Sequence, residues 1–125
     1  MTNKERFIEI FKSKITREGA DKLLAYLCSE SCDFFYAPAS TRYHGAYEGG
    51  LLEHSLNVYE CLKEKRKNPI WENALKDIPE ESFVISALLH DLCKIDTFKI
   101  DMRNKKVDGN WVQVPYYSVE DGLPY

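Results

Sequence analysis

The hydrophobic period of the chain changes once, just past Ile95. Before that point apolar residues recur every three or four positions, the spacing that lays them along one side of an α-helix. After it, "TFKIDMRNKKV" and "NWVQVPYYSV" flank Asp108-Gly109, with alternation at Trp111, Gln113 and Val114, as in two strands joined by a tight turn. The expected fold is therefore mainly α: helical stripes buried against one another, with a C-terminal β-hairpin. At 125 residues the chain has room for one core, so residues 1–125 are read as a single domain.

Thr2 with Glu5 fits a capping box, and Phe7, Ile8, Phe11 and Ile15 give the first helix its apolar face. Leu23, Leu24 and Leu27 predict a second helix, capped by Thr16 or Asp21 and ending near "SESCDFF", whose Phe34, Phe35 and Tyr36 pack before Pro38. Residues 37–50, "APASTRYHGAYEGG", read as a loop leading into a third helix. That helix starts at Gly50, carries Leu51, Leu52, Tyr59 and Leu62, and is ended by Pro69. Pro79 and the two glutamates after it open a last helix through "SFVISALLHDLCKI".

Several function classes are disfavoured. No apolar run reaches bilayer-spanning length, and the N-terminus interleaves charge with apolar residues instead of forming a secretory signal, so a cytoplasmic location is the default. A net charge of -3 offers no footprint for bulk nucleic-acid binding, and "KEKRK" at 63–67 reads as a solvated helix end. Cys28, Cys32, Cys61 and Cys93 are scattered as reduced thiols would be, and Cys28 and Cys32, one helical turn apart, read as packing residues.

His54 shares a stripe with Leu51, Val58 and Cys61, which points it inward. His90 follows Phe83 and Ala87 at helical spacing, and Asp91 follows Val84 and Leu88, so both neighbour apolar stripes. An uncompensated buried carboxylate costs several kcal/mol, and a cation is one natural compensation. Two imidazoles and one carboxylate from two helices make the mixed nitrogen and oxygen set that divalent transition metals favour. From the residues alone an alternative stands: two core histidines satisfied by hydrogen bonds, and an Asp91 that caps or pairs with Lys94.

The segments "YHGAYEGGLLEHSLNVY" (43–59) and "ALLHDLCKID" (87–96) resemble the HD superfamily of metal-dependent phosphohydrolases, whose pattern is His, then His-Asp, then a distant Asp. The likeness spans residues 40–98, and the glycine-rich lead-in resembles the HD module of a bacterial 3′-to-5′ exoribonuclease. The resemblance implies an HD-domain-like helical bundle in which His54, His90 and Asp91 hold a divalent transition metal ion (Mn, Ni, Co, Fe or Zn). It implies hydrolysis of a phosphoester, in a nucleotide, a nucleic-acid phosphodiester or another small phosphorylated substrate, by a metal-activated water. Lys94 matches the family's lysine three places after the aspartate, a catalytic position where a cation holds substrate phosphate or orients the acidic ligand. Arg42 and His44, on the preceding loop, become candidate substrate-phosphate contacts, or else loop residues bonded to backbone.

Two departures from the pattern bear on this reading. Cys93 replaces the glycine usual before that lysine, which would narrow the pocket. The family's last aspartate comes from a later helix, whereas Asp96, Asp101, Asp108 and Asp121 all fall on predicted strands or turns. The domain is therefore expected to be incomplete at its C-terminus, with homo-oligomerisation or helix exchange covering the exposed core. A metal-binding or interaction module without turnover, and a helical structural domain without metal, remain the rival readings.

Overall fold

Thr2 starts the first helix, α1 (Asn3–Lys14), its hydroxyl accepting the Glu5 N–H at 3.1 Å. The computed structural model describes residues 1–42 and 45–120. Helix α2 (Ala20–Leu27) opens at Gly19, in the left-handed region at φ 89°, with no side-chain cap. Neither Thr16 nor Asp21 caps it. The Thr16 N–H instead donates to Glu81 Oε1 at 2.9 Å, tying this turn to the start of a later helix.

Helix α2 stops at Leu27, earlier than its apolar tail suggests, and the chain continues through turns. Phe34 and Phe35 are buried against Phe7, with ring centroids 5.1 and 5.5 Å from it, while Tyr36 is 56% exposed. Only one of the two neighbouring cysteines packs: Cys32 is buried and Cys28 exposed. Burial pushes the Cys32 thiol above its usual pKa, so it behaves there as a small apolar group.

Helix α3 (Gly50–Lys67) is entered from a loop sewn to it by backbone bonds, Gly49 N–H to Tyr36 O and Leu51 N–H to Ala37 O. The glycine pair has a double purpose. Gly49 takes φ 81°, and a Cβ on Gly50 would overlap the carbonyl of Gly45. Pro69 ends α3 as expected but also begins a short helix the periodicity does not show, α4 (Pro69–Leu75), capped by Asn68 Oδ1 on the Ile70 N–H.

Helix α5 (Glu80–Leu89) packs on α3, and α1 packs against both. Leu51, Leu52 and Leu56 of α3 meet Val84 and Leu88 of α5 in one buried cluster. Each such side chain contributes about 1.5–3 kcal/mol by leaving water, so the α3–α5 spacing is firmly set. A 3-10 turn (Leu92–Lys94) then leads to β1 (Phe98–Val107) and β2 (Asn110–Val119), antiparallel from Phe98 opposite Val119 to Val107 opposite Asn110. Asp108 and Gly109 form the expected turn, both with positive φ. The fold is thus mainly α with a two-stranded C-terminal hairpin. Among the described residues no helix is long and apolar enough to cross a membrane.

Candidate metal centre

The α3–α5 interface places three side chains at one point. His54 lies one turn into α3. His90 is the residue that ends α5, and Asp91 follows it at φ -109°, where the backbone leaves the helix for the 3-10 turn. The C-terminal end of a helix carries partial negative charge from its free carbonyls, which favours a cation beside it.

Three ligand-type atoms meet there in a nearly equilateral triangle. His90 Nε2 is 3.2 Å from His54 Nε2 and 3.2 Å from Asp91 Oδ2, and His54 Nε2 is 3.3 Å from Asp91 Oδ2. With bonds of about 2.1 Å, adjacent donors stand about 3.0 Å apart in an octahedron and about 3.4 Å apart in a tetrahedron. The observed edges fall between the two, so the donor set fits a divalent transition metal in both spacing and chemistry.

His90 is also preset electronically. Its Nδ1 lies 2.9 Å from the Ala87 carbonyl, which can only accept, so Nδ1 carries a proton and Nε2 is the ring nitrogen left to face the site. The side chains of His54, His90 and Asp91 are 26%, 34% and 18% exposed, so the triangle is accessible from one side. The stripe carrying His54 grades from buried Leu51 through half-buried Val58 to exposed Cys61. His54 therefore sits at the edge of the core, not within it.

Lys94 completes the constellation. Its Nζ is 3.4 Å from Asp91 Oδ2 and donates to the Ala39 carbonyl at 2.7 Å. The ammonium thus links the acidic side chain to the 37–50 loop, an arrangement in which it orients the carboxylate. Arg42 is exposed on that loop, three residues beyond Ala39, and lines a cleft of about 480 Å³ facing the hairpin. His44 lies outside the described residues. Cys93 is exposed and takes no part in the triangle.

No fourth ligand, and no second carboxylate, joins the three among the described residues. Asp96 adopts φ 56°, and its N–H donates to Asp33 Oδ1. Asp101 accepts from Ser118 on the hairpin, and Asp108 forms the hairpin turn. Asp121 lies outside the described residues.

Two contributors have no sequence signal. The Ala39 carbonyl that holds Lys94 is backbone, and the hairpin residues Arg103, Tyr116 and Tyr117 face the loop only because of how the hairpin lies. Burial, followed by the nearby charge of Glu48, raises the Tyr117 pKa and keeps its hydroxyl a neutral donor.

In sequence the chain is similar to a dihydroneopterin 2′,3′-cyclic phosphate phosphodiesterase from Methanocaldococcus jannaschii, 36% identical over 58 residues. The matched stretch is 46% of this chain and 23% of that protein, so the chain spans about a quarter of its relative's length. No protein-family profile matches the chain, and no solved structure matches it.

Proposed function

We propose that the chain is a metal-dependent phosphodiesterase of the HD type, with residues 1–125 forming one HD-like unit and His54, His90 and Asp91 holding a divalent transition metal. The observation that carries this reading is the triangle of Nε2, Nε2 and Oδ2 atoms at 3.2–3.3 Å, one face of which is open. The partial likeness to a cyclic-phosphate phosphodiesterase supports the reaction class. A small phosphorylated compound is the proposed substrate.

An ion bound there supplies Lewis acidity toward a phosphoryl oxygen and lowers the pKa of a water ligand. The chain's own residues do the rest. Asp91 offsets the positive charge, and the His90 Nδ1–H bond to Ala87 fixes the ring with its Nε2 facing the site. Lys94 fixes the Asp91 rotamer from 3.4 Å and brings a second positive charge toward a phosphate entering the open face. Arg42 and His44, on the adjoining loop, are proposed to contact that phosphate. Three protein ligands with an open position is the pattern of catalytic metal sites, whereas purely structural sites are closed by a fourth. This favours turnover over a binding module.

The test is hydrolysis of bis(p-nitrophenyl) phosphate and of a nucleoside 2′,3′-cyclic phosphate with Mn²⁺ or Ni²⁺ titrated into chelator-treated protein. Metal-dependent turnover that His54→Ala abolishes is expected. Turnover unchanged by that substitution, or none with any divalent ion, would refute the assignment.

A further inference from the structure

Residues 102–113, the outer half of the hairpin, are exposed throughout. Successive rows of the ladder point to opposite sides. One side holds Ile100 opposite Tyr117, Met102 opposite Pro115, and Lys106 opposite Trp111, with Lys106 its single charge. The other holds Lys99, Asp101, Arg103 and Lys105. Such alternation belongs to a sheet with one covered face, yet Ile100, Met102 and Trp111 are 63%, 53% and 70% exposed. The edges of the hairpin are guarded: Pro115 has no N–H to give outward from β2, and the basic side chains of β1 disfavour a further strand. What the hairpin offers a partner is therefore its apolar face.

That face carries a knob at one end and a hollow at the other. At the tip stands Trp111, with the Lys106 ammonium beside it across the ladder. At the base, Ile100, Pro115 and Tyr117 wall a cavity of about 420 Å³ together with Ala46, Tyr47 and Glu48 of the loop before α3. An aromatic ring beside a cation at one end thus complements a largely apolar hollow beside a carboxylate at the other.

We infer that this face docks on the same face of a second copy of the chain, about a twofold axis. With the hairpins antiparallel and the axis through the Arg103–Val114 row, the middle of the ladder, the Lys106–Trp111 row of one copy falls over the Ile100–Tyr117 row of the other. Each Trp111 then enters the hollow of the second copy, each Lys106 approaches its Glu48, and Met102 and Pro115 lie near the axis. The two lysines stand at opposite ends of the contact and do not oppose each other. A second copy is favoured over an unrelated partner because one chain supplies both halves of the complement, and a contact made twice about a twofold axis closes as a dimer. It would bury on the order of 1,000 Å² in total, the low end for a specific interface, so the dimer is expected to dissociate on dilution. The inference does not depend on the phosphodiesterase reading.

Sedimentation velocity on the full chain, from about 1 to about 500 µM, reads the equilibrium. A monomer–dimer transition within that range is expected. Trp111→Ala should weaken it about tenfold or more, the scale of a lost tryptophan anchor. A charge exchange leaves the tryptophan and the packing of the hairpin untouched. Lys106→Glu and Glu48→Lys should each weaken association about fivefold, by setting like charges together, and the double variant should restore it. A monomer at every concentration would overturn the inference. So would a dimer that Trp111→Ala leaves unchanged, which would place the contact elsewhere, or single charge variants that the double variant does not rescue.

Discussion

Replacing Lys94 with methionine keeps the apolar stem and removes only the charge, so the variant isolates what the ammonium contributes. Two contacts are lost: one to Asp91 Oδ2 at 3.4 Å and one to the Ala39 carbonyl at 2.7 Å. At an effective dielectric of 20 the bare attraction at that separation is about 5 kcal/mol. Desolvation of two mostly buried groups offsets much of it. A hydrogen bond from a charged donor is worth about 1.5–3 kcal/mol, and the Ala39 carbonyl is left without it. A net loss of about 2–3 kcal/mol is expected. For 125 residues, with about 2.1 cal/mol/K of unfolding entropy each, that lowers Tm by about 10 °C. The assay is thermal unfolding in chelator and again with saturating Mn²⁺. If the lysine acts through Asp91, the deficit should shrink with Mn²⁺, because a bound cation compensates the same carboxylate. An unchanged Tm in chelator would refute the energetics. A deficit of equal size in both conditions would show that the lysine acts through the loop alone.

Gly50→Ala should destabilise by about 2–3 kcal/mol, since its methyl would overlap the backbone of Gly45 and force the loop off α3; chemical denaturation reads this directly. Ser55 is fully buried beside His54 in sequence, and its hydroxyl has no hydrogen-bond partner among the described residues, so Ser55→Ala should raise stability by about 1 kcal/mol. An equal loss instead would mean that the hydroxyl is satisfied. The Lys14–Glu80 pair should leave a pH signature in the unfolding midpoint. Lys14 holds the Glu80 carboxyl below its ordinary value of 4.5, so its contribution is present above that value and is lost as pH falls through the lowered one. Glu80 raises the Lys14 pKa above 10.5, so that contribution is present below 10.5 and fades as pH rises through the raised value. Glu80→Gln should flatten both limbs, and a profile identical to that of the parent would count against the pair.

Much of this architecture is legible in the chain because helical stripes and one Asp-Gly turn dictate it. Phe7 and Phe11, Leu51 and Leu52, and Val84 and Leu88 mark the faces that pack, and the convergence of His54 with His90 and Asp91 follows from those faces. Depth is less legible than direction. Periodicity puts His54 on the core side of α3 but cannot say that the stripe reaches solvent by Cys61. Pro69 reads equally well as a stop and as a first helical residue, which is why α4 is missed. The end of α2 is set by tertiary packing of Phe34 and Phe35, which local pattern does not report. The Lys94 link to Ala39 and the cleft facing the hairpin depend on backbone position, which no side-chain pattern records.

The most direct test is whether the three converging side chains hold a metal. Elemental analysis of protein purified without chelator should find a divalent transition metal in fixed ratio to the chain, and Asp91→Ala, folded by circular dichroism, should contain none. A metal content undiminished in that variant, or a metal-free parent that takes up no ion on titration, would contradict it.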